Sequence, residues 1–186
     1  MDNASNSNEV VAGVLPYLEI AIEPQLQLKQ LELNQAQRLF ELTDLDREKL
    51  QQWLPWPQHT HSAEDSREFI EIVTEKRRKG EEYGYGIELN GELVGHISLM
   101  HVKDERDPEI GYWISSLAEG RGVTTKAATA LTSFGFNTLG LQRIIIRAHP
   151  DNIGSNKVAE KSGYAFERET EGEDGLVNIW MIQKDR

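Results

Sequence analysis

The chain contains no cysteine. That excludes disulfides, thiolate metal sites and a cysteine nucleophile, and it fits a reducing compartment. No apolar run approaches the ~18 residues needed to span a bilayer. Residues 1–11 are polar and lack the basic start and apolar centre of a secretory signal, so a cytoplasmic location is expected. Basic residues are scarce: 20 Lys and Arg stand against 31 Asp and Glu, a formal charge of −11. Affinity for nucleic acid comes from neutralising phosphates, so no nucleic-acid partner is expected. An acidic surface favours solubility and the approach of cationic amines. The five histidines show no metal-ligand spacing, so no metal is expected.

What is present fits one ordinary domain: 186 residues, 38% of them hydrophobic and 27% charged. Residues 1–14, rich in Asn and Ser, read as a flexible tail, and residues 15–186 as a single domain. Residues 17–28 alternate apolar and polar positions, as a strand does, with Pro24 as a break. Asn34 and Asp44 are candidate caps of two helices, the second ending near Leu54. Ser62-Ala63-Glu64-Asp65 resembles a capping box, and Gly80 a helix stop after a basic last turn. Asn90-Gly91 between two apolar runs predicts a hairpin. A strand over 109–114, a helix over 122–136, a strand over 141–148, a helix over 152–162 and a final hairpin complete the order. Such an order suits a mixed sheet with helices on both faces.

Two constellations carry chemistry. Glu119-Gly120-Arg121-Gly122-Val123-Thr124 lies between a strand and a helix. Its glycines let the backbone approach a ligand, and the helix start presents free amides to an anion such as a diphosphate. A tight turn alone would also use them, and neither a Walker A loop nor a dinucleotide fingerprint is present. The second constellation is Asn152-x-x-Ser155 followed by Gly163-Tyr164. Asn152 suits an N-cap, and a first-turn hydroxyl often bonds back to its own chain.

Together with Glu109-Ile110-Gly111-Tyr112-Trp113-Ile114, these motifs resemble the GNAT superfamily of N-acetyltransferases. Within it, Trp53-Leu54-Pro55-Trp56, the helix start at 62–69 and Gly91-Glu92-Leu93-Val94-Gly95 resemble the RimJ/RimL branch, which acetylates ribosomal-protein N-termini. The resemblance implies an α+β GNAT fold, with about seven strands in a mixed sheet, helices on both faces and a splay between strands 4 and 5. It implies acetyl-CoA as co-substrate and a protein N-terminus as acceptor. A small amine (polyamine or antibiotic) is the alternative acceptor, and a non-catalytic CoA-binding regulatory module the alternative function. It implies that the backbone of Trp113, Ile114 and Ser115 binds pantetheine, that residues 119–124 hold the diphosphate, that Asn152 contacts the arm, and that Ser155 stabilises the leaving thiolate. A homodimer is known in similar enzymes.

The chain departs from that pattern at several points. Glu119 stands where the family usually has Gln or Arg, and Thr124 where it has a small residue. Ala159 occupies the position of a common tyrosine acid, which leaves Ser155 in that role. Candidate general bases are Glu109 and, in the final hairpin, Glu171 and Glu173, with a water chain as a further route. Trp53 and Trp56 flank a Pro-rich loop and are candidates either for an acceptor pocket or for core plugs. Without an activated Cys or a Ser-His-Asp signature, direct transfer with no acyl-enzyme is expected.

Overall fold

A computed structural model describes residues 17–173 and 175–184; the expected tail, residues 1–14, lies outside them. Eight strands form one sheet in the order β1-β2-β3-β4-β5-β6-β8-β7. They span Glu19–Glu23, Leu26–Lys29, Tyr83–Leu89, Glu92–Met100, Glu109–Ile114, Arg143–Ala148, Ala165–Gly172 and Gly175–Gln183, as β1 to β8. The helices are α1 (Ala36–Leu45), α2 (Arg47–Leu50), α3 (Ala63–Lys79), α4 (Val123–Asn137) and α5 (Ile153–Lys161). Among the described residues no helix is long and apolar enough to cross a membrane.

The strand count exceeds the expected seven because Pro24 does not end a strand; it turns one. The predicted strand over 17–28 is the antiparallel pair β1 and β2. Asn34 is not a helix cap either: Glu32 and Gln35 form a reciprocal capping box around a short 3-10 turn that leads into α1. The second short helix starts after Asp46 rather than Asp44, without a side-chain cap, and stops at Leu50. At α3 the local signals hold: Ser62 accepts from the Asp65 amide, and Gly80 closes the helix at φ 69°.

Both faces of the sheet are covered. Ile97, Leu99, Ile110, Ile144 and Ile146 pack with Ala127 and Leu131 of α4 on one face. Leu93 and Trp113 pack with Leu39 and Leu42 of α1 and Ile70 of α3 on the other. Side chains alternate across a strand, so β5 sends Ile110 and Tyr112 toward α4 and Trp113 toward α1.

Among the described residues the one parallel contact is between β5 and β6, and it consists of a single register pair, Glu109 with Ile145. Ile145 N–H donates to Pro108 O at 2.9 Å there. Beyond that point the two strands separate, while β5 remains paired with β4 along its whole length. Arg143 ties the base of the divergence together, donating to Asp107 Oδ1 at 3.0 Å and to both carboxylate oxygens of Glu167 at 3.0 Å.

Candidate active site

The divergence of β5 from β6 opens a cleft of about 780 Å³. It is bounded by β5, the 118–125 segment, the end of β6 and the first turn of α5. The loop after α2 reaches its mouth through Trp53 and Leu54. The cleft therefore gathers residues from both sequence constellations.

On the β5 edge, Ser115 N–H donates to Val94 O at 2.8 Å, so residues of that parity face β4. The groups that face the splay are those of Tyr112 and Ile114. This corrects the expected set: Ser115 is fully buried, its hydroxyl donates to Asp46 Oδ2 at 2.7 Å, and it does not line the cleft. Trp113 lines the cleft, but its ring packs against Trp56 with centroids 5.8 Å apart.

At the far end, α4 starts from Gly122, which adopts φ 72° and gives the helix no side-chain cap. A left-handed residue of this kind is cheapest as glycine. Cβ atoms built on Gly120 or Gly122 would meet nothing within 4 Å, so ligand atoms can approach the backbone. The first turn of α4 holds no acidic residue, and its leading amides point at the cleft unpaired by a cap. This is the arrangement that favours an anion. Glu119 does not oppose it, because its carboxylate is ion-paired with Lys49 of α2. Thr124 lines the cleft with its residue mostly buried. Arg121 does not: it borders a separate cavity of about 380 Å³ with Lys126 and Asn90.

Asn152 is the N-cap of α5; its Oδ1 accepts from Ser155 N–H at 3.0 Å, which leaves its amide NH₂ for other partners. Ser155 meets Tyr112, whose hydroxyl lies 3.0 Å from Ser155 O and 3.1 Å from Ser155 Oγ. Burial pushes the Tyr112 phenol up to about 12. No spacing rule singles out Tyr112; only its place on β5, facing α5, could have flagged it.

Glu109 sits where the splay begins, with its side chain 14% exposed, and it pairs with Arg147 Nε at 3.2 Å. Burial raises its carboxyl above the ordinary value, and Arg147 acts against that rise. The other two candidate bases are not in the cleft. Glu171 is near the end of β7, an edge strand separated from β6 by β8, and Glu173 is in the turn beyond it. Both are exposed to solvent. The tryptophans divide: Trp53 lines the mouth, its ring 5.5 Å from that of His149, whereas Trp56 turns inward against Trp113 and is absent from the lining. Among the described residues no group of three or more His, Asp or Glu is arranged to hold a metal.

The chain resembles known proteins over most of its length. The profile of the Acetyltransferase (GNAT) domain family matches residues 25–165. The ribosomal-protein-serine acetyltransferase of Escherichia coli (strain K12) is 30% identical over 149 residues, covering 80% of this chain and 83% of that protein. The putative ribosomal N-acetyltransferase YdaF of Bacillus subtilis (strain 168) is 34% identical over 158 residues, covering 83% and 85%. Among solved structures, RimL, a ribosomal alpha-N-protein acetyltransferase in complex with coenzyme A, superimposes with a TM-score of 0.84 at 23% identity, covering 89% of this chain and 97% of that one. The family profile spans more than half of the chain, and with these relatives it shows that the chain belongs to the GNAT family of acetyl-CoA-dependent N-acetyltransferases, on its RimJ/RimL branch.

Proposed function

We propose that the acceptor is the N-terminal α-amino group of a protein, of the ribosomal-protein type, and that transfer is direct. The observation that carries the mechanism is the placement of Ser155 and Glu109 on opposite sides of the splay. Tyr112 reaches Ser155 on the α4 and α5 face, while Glu109 shares the parity of Trp113 on the opposite face. A hydroxyl is then available on the donor side and a carboxylate on the acceptor side.

In this reading the amides that open α4 hold the diphosphate, and the free edge groups of Tyr112 and Ile114 bond the pantetheine arm and polarise the thioester carbonyl. Glu109 takes a proton from the attacking amine, and burial, by raising its carboxyl above the ordinary value, makes it a stronger acceptor. Ser155 stabilises the sulfur as the C–S bond breaks and the electron pair moves onto it. Trp53 and His149 flank the route by which the acceptor enters. The names of the two curated relatives support an acceptor of the ribosomal type.

The test is mass spectrometry of intact protein N-termini in cells with and without the gene, joined to turnover assays on N-terminal peptides and on polyamines. The expected result is an N-terminus that loses its acetyl group on deletion and is acetylated by the purified enzyme. An unchanged set of N-termini, with higher kcat/KM for a polyamine, would replace the protein acceptor by a small amine.

A further inference from the structure

Ser155 is held at three atoms by two residues of different elements. Asn152 Oδ1 takes its amide proton at 3.0 Å, and Tyr112, 43 residues away on β5, meets both its carbonyl and its hydroxyl oxygen. A first-turn serine left to itself rotates among staggered positions and commonly bonds back to its own helix. Here that freedom is removed from outside the helix.

We infer that Tyr112 is a positioning residue for the transfer: its single proton is shared between Ser155 O and Ser155 Oγ in a three-centre bond, which leaves the serine's own proton directed at the departing sulfur. This rests on the reading of Ser155 as the group that stabilises the thiolate. A phenol has one proton and Ser155 Oγ one. If the phenol donated only to the Ser155 carbonyl, the serine proton would be spent on Tyr112 and turned from the cleft. Donation to Oγ gives the opposite polarity, and it strengthens the serine as a donor because linked hydrogen bonds polarise one another.

Tyr112 does not itself serve as the acid. Burial pushes the Tyr112 phenol up to about 12, so proton transfer from it to the thiolate runs uphill, and the phenolate left behind would be buried. The balance closes without it. The N–C bond forms, the C–S bond breaks with its pair going to sulfur, and the amine proton goes to Glu109. Ser155 contributes a hydrogen bond, aimed by Tyr112.

The experiment is a double-mutant cycle of Y112F, S155A and the pair, in the full chain. It reads kcat, KM for acetyl-CoA, calorimetric affinity for CoA, and the thermal midpoint. Phenylalanine keeps the ring and removes only the hydroxyl. Y112F is expected to lower kcat about tenfold, the worth of one good hydrogen bond, with KM and CoA affinity changed less than about twofold. In the S155A background Y112F should cost nothing more, because its effect passes through Ser155. Full kcat in Y112F beside a reduced kcat in S155A would overturn the role of Tyr112 alone, as would equal losses in both backgrounds. Full kcat in S155A would overturn both readings.

Discussion

Lys49 of α2 and Glu119, 70 residues apart, form an ion pair across the mouth of the cleft. Both side chains are more than two-fifths exposed, so the pair adds under about 1 kcal/mol to stability. Its effect falls instead on the neighbouring helix start, where an unpaired carboxylate would oppose a diphosphate. Lys49→Ala should raise KM for acetyl-CoA several-fold with little change in the thermal midpoint. Adding Glu119→Gln should restore most of it, and salt should shrink the difference. Steady-state kinetics at two ionic strengths check all three.

Glu109 is the base candidate that the cleft retains. Glu109→Gln should lower kcat/KM by about 10²–10⁴. The pH profile has a definite sign. The carboxylate form is active, so rate falls as pH drops through the folded value, which burial holds above the ordinary one. Arg147 opposes that rise, so Arg147→Ala should move the acidic limb to higher pH. A limb that moves to lower pH would rule out Glu109 as the group observed.

Asp46 is buried and accepts from Ser115 Oγ at 2.7 Å and Ser116 N–H at 2.9 Å. Burial pushes its carboxyl up, but hydrogen bonds from Ser116 and Ser115 outweigh this and hold it below the usual value. Stability from a depressed carboxylate is present above the unfolded value and lost as pH falls through the folded one. Asp46→Ala should cost about 1–3 kcal/mol near neutrality. The gap between wild type and Asp46→Asn should narrow as pH falls below about 4. Denaturant melts at a series of pH values measure both.

Gly95 carries no side chain because β5 lies against it: a Cβ would run into Trp113 O and sit 3.0 Å from Ile114 Cα. Gly95→Ala should destabilise by about 1–3 kcal/mol. It should also weaken acetyl-CoA binding, since relief comes by moving β5. Urea melts and a CoA titration test the two effects.

Much of this was legible in local sequence, where chemistry acts over a few residues. Ser62, Gly80 and Asn90-Gly91 specified ends and turns that the structure contains. Pro24 was misread because a proline that breaks alternation looks the same at a strand end as in a turn between two strands. Placement of the acids was beyond reach. Nothing in the Glu171 segment shows that β8 comes between β7 and β6. Trp53 and Trp56 share one loop, and only the position of Trp113 decides which of them turns inward. The Tyr112 contact was hidden because it joins a strand to a helix 43 residues later.

The lone Glu109–Ile145 register pair makes the sheet two plates on a hinge. Elsewhere strands lock together by ladders; here, among the described residues, five strands and three are joined in the sheet by one rung, the Arg143–Asp107 and Arg147–Glu109 pairs, and α4 packed across both. An acyl carrier seated between the two edges would act as mortar between them. Substrate occupancy would then be written into the mechanics of the protein, with the splay stiffer when charged than when empty.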